Sequence, residues 1–134
     1  MRTLLVEESF AYGFTIAFWG SGMVLVNEYG FLDVVGVLGY VTGTVTGFGL
    51  LALLTFGGAV NAVEFGSSPR YFVLSGIHYI AGAVPIVSTY LLVESVPNET
   101  VAVFLSGVCV AVLYNASAAL EEVVSETLWR LERG

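Results

Sequence analysis

Few residues in this chain could carry chemistry, and they lie far apart. His78 is the only histidine, eight positions after Arg70. Along a helix that is roughly 12 Å. Asn115 precedes Glu122 by a similar number of residues, Thr15 follows Glu8, and Thr55 precedes the Asn61–Glu64 segment. Each lies in a different apolar stretch, with Tyr12, Tyr79 and Tyr114 flanking the same level. Polar groups in hydrocarbon need partners and turn toward the bundle interior. The spacing therefore predicts an intramembrane polar layer of Thr15, Thr55, His78 and Asn115. The preferred role for His78 is an interhelical hydrogen bond to Asn115, because such bonds are common and modest in strength. Proton relay or ligand binding at His78 is the functional alternative.

Other chemistries lack their residues. Glu7, Glu8, Glu28, Glu64, Glu94 and Glu121 all fall near the ends of apolar stretches, so no carboxylate sits at mid-membrane, where proton-coupled transport usually needs one. One histidine does not supply two axial haem ligands. Cys109 is the single cysteine, which excludes an intrachain disulfide or a CxxC site. No zinc spacing, P-loop, dinucleotide fingerprint or nucleophile elbow occurs. The expectation is a protein that is not an enzyme, with no catalytic, cofactor-binding or metal residues. Asn98-Glu99-Thr100 fits a glycosylation acceptor, but its place against an apolar stretch favours Asn98 or Thr100 as a helix N-cap.

The clearest pattern is structural. Gly36, Gly39, Gly43 and Gly47 mark one strip, with Thr42 and Thr46 beside it. Glycine at four-residue spacing lets helix backbones approach closely, the main source of helix association in lipid. The strip predicts the tightest helix–helix contact, within the chain or between copies. Lining a pore is the alternative.

The elements that must position these residues are helices. Apolar runs cover Phe10 to Val26, Val34 to Val60, Tyr71 to Val93 and Val101 to Leu120. Each is long enough for a hydrocarbon core of ~30 Å. The predicted fold is all-α and polytopic: one domain over 1–134 with four antiparallel transmembrane helices. Spans are expected at 9–27, 33–62, 69–93 and 99–121, followed by a charged, amphipathic helical extension over 121–134. Asp33 is placed to cap the second helix, and Ser68-Pro69 to start the third. Pro85 is expected to kink the third. Short connections make sequential helices neighbours. In the extension, Leu120, Val123, Val124, Leu128 and Leu131 recur at helical spacing, and Glu126 with Arg130 forms an i,i+4 pair.

Composition agrees with a lipid solvent. The chain is 57% hydrophobic and only 11% charged, against about a quarter charged in soluble domains. Four arginines face eleven acidic residues, with no lysine. That excludes a nucleic-acid footprint and points to a halophile, where carboxylates keep surfaces hydrated. Arg2, Arg70, Arg130 and Arg133 fall on one side of a four-span topology, which puts both termini in the cytoplasm. No cleaved signal is read at the N-terminus. The expected function is a structural, envelope or complex-subunit membrane protein. Its partners would be the lipid bilayer and a second copy or another membrane protein. A subunit of an oligomeric channel or transporter is the alternative.

Overall fold

The computed structural model describes the backbone of residues 2–56 and 71–134, and side chains at 11–55, 80–124, 126–132 and 134. The end of the second expected span, the Gly66–Pro69 connection, Arg70 and the side chain of His78 lie outside the described residues.

The described chain is all-α, with helices α1 (Arg2–Tyr29), α2 (Val34–Phe56), α3 (Tyr71–Ser95) and α4 (Glu99–Arg133). Their ends follow local chemistry. Gly30 closes α1 with φ of 79°, a left-handed conformation that glycine adopts without a Cβ penalty. Its N–H bonds Val26 O at 2.8 Å. Asp33 Oδ1 accepts from Gly36 N at 2.8 Å at the start of α2, and Asn98 Oδ1 accepts from Val101 N at 3.1 Å at the start of α4. Both satisfy a helix N–H that has no intrahelical acceptor. Asn98 thus serves as a cap.

Helix order in space departs from the expected ring of antiparallel neighbours. Gly43 faces Phe104 and Gly107, and Gly47 faces Val108 and Ala111, so α2 and α4 rise together in parallel. Gly82 faces Gly13 and Ala17, and Gly20 faces Ile86, which makes α1 and α3 a second parallel pair. The short 96–98 connection folds α3 back antiparallel onto α4. The backbones of α1 and α2 stay apart, although their aromatic side chains meet. Phe18 and Tyr40 lie 4.7 Å apart by centroid, and Phe14 and Phe48 5.4 Å. Small residues decide this arrangement. Glycines on α2 and α4 admit close backbone approach, whereas the α1–α2 contact is held open by rings. Leu25, Ala81, Val103, Val110 and Tyr114 form the core between the pairs.

The expectation of four spanning helices is also corrected. Among the described residues, two helices are long and apolar enough to cross a membrane, Val34–Thr55 and Glu99–Glu132. In α1 the apolar run is diluted by Tyr12, Thr15, Ser21 and three glycines, and it ends at Asn27-Glu28. In α3, which runs over Tyr71–Ser95, the apolar stretch among the described side chains is Ile80–Ser95.

Toward the C-terminal end of α4, Leu120, Val123, Val124, Leu128 and Leu131 are exposed.

Candidate functional site

The α2–α4 seam is the closest contact. A Cβ added to Gly43 would collide with the carbonyl oxygen of Phe104, and one on Gly107 with that of Tyr40. On Gly47 it would come within 2.7 Å of Ala111 Cβ and 2.8 Å of Val108 O. These are mostly backbone neighbours, which have no rotamer to yield. Gly39 is looser, with Val103 Cγ1 at 3.9 Å. Gly36 faces its own first turn, near Leu32 and the Asp33 cap. Thr42 and Thr46 are exposed, and Thr46 Oγ1 donates to Thr42 O at 2.8 Å. The seam therefore gathers Gly43, Gly47 and Gly107, while the threonines beside the strip face outward. Gly107, the reciprocal residue on α4, stands outside any four-residue glycine series, so its sequence carried little signal.

Of the expected polar layer, Thr15, Thr55 and Asn115 are described. Thr15 is exposed and donates to Ala11 O at 2.7 Å. Thr55 is exposed. Asn115 is half-buried, and its Nδ2 donates to Ala111 O at 2.7 Å within α4. Each bond serves the residue's own helix.

A different set of hydroxyls occupies the centre. Ser21 on α1, Tyr40 and Thr44 on α2, Thr89 on α3 and Ser106 on α4 are all buried. Ser21, Thr89 and Ser106 are 0% exposed. They share one level, roughly two turns inside the end where α1 and α3 finish and α2 and α4 begin. Gly107, next to Ser106, packs on Tyr40, and Tyr40 Oη donates to Phe18 O on α1 at 2.7 Å. That hydrogen bond ties α2 to α1 where no backbone approach does. Thr44 Oγ1 donates to Tyr40 O at 3.0 Å, and Ser106 Oγ to Ala102 O at 2.7 Å. Serine and threonine that bond back to their own helix carry little desolvation cost, so this layer leaves hardly a trace in hydropathy.

Above the layer lies an acidic rim of Glu28, Asp33, Glu94 and Glu99. The Glu94 carboxylate, within hydrogen-bonding reach of the Tyr90 hydroxyl, raises the Tyr90 pKa, and the charge of Glu28 adds to it. Burial, then the carboxylates of Glu28 and Glu99, push Tyr29 up. The rim concentrates negative charge, but no described group of three or more His, Cys, Asp or Glu has the arrangement of a metal site. Cys109 is half-buried on α4.

The outer surface is apolar. Val35, Leu38, Val41, Val45, Leu53 and Leu54 of α2 are exposed, with Trp19 and Met23 on α1, and Val87 and Leu91 on α3. Only 22% of the α2 apolar stretch is buried inside the molecule, against 44% in α4. The chain is a small helical protein with apolar helices suited to contact with lipid. No family model, curated protein or solved structure matches this chain.

Proposed function

We propose that this protein is a structural or complex-subunit component of a membrane, embedded through the apolar faces of α2 and α4. The observation that carries the reading is the exposure of α2. A helix this apolar in the core of a water-soluble domain is mostly buried, whereas α2 is 22% buried and turns valine and leucine side chains outward along its length. Apolar surface on this scale marks a membrane or protein interaction site. The chain lacks the charged residues to cover such a surface in water.

A second copy or another membrane protein would share that surface with lipid. Gly43, Gly47 and Gly107 are already packed inside the chain, so association with a partner falls to valine, leucine and aromatic side chains. The acidic rim and the absence of lysine fit a cell membrane or viral envelope in concentrated salt. In this reading the positive-inside preference of the arginines supports a cytoplasmic or interior side for both termini.

Carbonate extraction of membranes containing the full chain tests the reading. The protein should stay in the membrane pellet at alkaline pH and float with liposomes after reconstitution. Release into the carbonate supernatant, as a monodisperse species without detergent, would overturn it. Mass measurement in mild detergent then distinguishes a homo-oligomer from a stoichiometric complex.

A further inference from the structure

Hydroxyl groups in these helices mostly bend back to the carbonyl four residues earlier. Thr44, Ser88, Ser95, Ser106 and Thr127 all do so, at 2.7–3.0 Å. Ser21 and Thr89 do not. Both are 0% exposed, and Ser21 Oγ and Thr89 Oγ1 have no hydrogen-bond partner. Tyr40 Oη on α2 lies near Ser21, and its own proton goes to Phe18 O. A buried hydroxyl left unsatisfied loses its full hydration, and each such group in a native protein calls for a physical explanation.

The two residues lie on facing helices. α1 and α3 run in parallel, with Ala17 at Gly82 and Gly20 at Ile86. The next turn brings Ser21 beside the Pro85–Thr89 segment. Helical side chains lean toward the N-terminus, so Thr89 leans back over Pro85, itself fully buried. Proline withholds the N–H that would bond Ala81 O, which gives this turn one backbone acceptor more than it has helix donors.

We propose that Ser21 and Thr89 form a buried binding site for a single water molecule, which joins α1 to α3 at the Pro85 turn. The ligand class follows from the site. Both groups are neutral and can donate as well as accept. Among the described residues no charged side chain belongs to the layer, which disfavours an ion. Complete burial of both hydroxyls leaves no route for a larger ligand. Buried waters occur about once per 27 residues and make two to four hydrogen bonds to groups otherwise unsatisfied. Tyr40 Oη, near Ser21, is a third partner within the same layer.

Water-selected NMR on the full chain in nanodiscs, with the threonine methyls labelled, reads the site directly. The Thr89 methyl should show cross-relaxation to a long-lived water, and the Thr44 methyl should show none. Ser21→Ala should abolish the Thr89 signal. Ser21→Ala and Thr89→Val should each lower Tm by a few degrees, with the double variant falling no further than the worse single. Three results would overturn the proposal. One is a wild-type Thr89 methyl with no water signal. Another is a rise in Tm on Thr89→Val, the behaviour of an orphaned hydroxyl. The third is non-additive loss without a water signal, which means a direct Ser21–Thr89 bond. The wild-type measurement stands even if a variant fails to fold.

Discussion

At Gly43 the methyl group of alanine has nowhere to go, because the opposing atoms are the Phe104 backbone. Gly49, on the same helix, has nothing within 4 Å of an added Cβ. The two positions form a matched test. Gly43→Ala should destabilise the protein by about 1–3 kcal/mol, the usual cost of overpacking. Gly49→Ala should be neutral or stabilise by up to about 1 kcal/mol from helix propensity. Thermal or denaturant unfolding in detergent measures both, and equal effects would remove the seam from the account. The spacing of Gly39, Gly43 and Gly47 pointed to a close contact, and periodicity does carry that much. Which glycines do the packing depends on the partner face, and spacing within one helix holds no information about it. The polar residues show the same limit. Asn115 stands out in an apolar run, yet it bonds its own helix. Ser21, Thr89 and Ser106 are fully buried, but their hydroxyls barely disturb a hydropathy pattern.

Caps and connections set the elements. Asp33 was legible as the start of α2, because capping depends on neighbours in sequence. Asn98 follows the same logic. Asn98→Ala should cost about 0.5–2 kcal/mol by releasing the N–H of Val101, and Asn98→Asp should restore most of it. Unchanged unfolding in Asn98→Ala would mean that α4 starts elsewhere. Pairing of helices was less legible. Short loops argue for sequential antiparallel neighbours, and α3 with α4 obeys. The rule gives way at α1 and α2, because Phe14, Phe18, Tyr40 and Phe48 hold those backbones apart while glycine draws α2 onto α4. Tyr40→Phe separates the hydroxyl from the ring. It keeps the stacking on Phe18 and loses the bond to Phe18 O, so a loss of about 0.5–1.5 kcal/mol is expected. A larger loss would show that the hydroxyl organises more of the central layer than this one tie.

For the whole molecule, the acidic rim at one end and the terminal arginines at the other define a polarity across the bundle. If the arginine end is cytoplasmic, Glu28→Cys in a Cys109→Ser background should react with an impermeant maleimide added outside cells, and Gly134→Cys should not. The reverse pattern would invert the orientation. Among the described residues fewer helices are long and apolar enough to cross a membrane than run length suggested, and in α1 Tyr12, Thr15, Ser21 and three glycines interrupt the run. The lipid-facing character of α2 is the central claim, and spin-label accessibility on the reconstituted protein tests it most directly. Labels at Val41, Val45 and Leu53, again in Cys109→Ser, should collide readily with molecular oxygen and poorly with a water-soluble nickel chelate, while a label at Glu28 shows the opposite. Ready collision with the chelate at all three α2 positions would place that face in water and contradict the account.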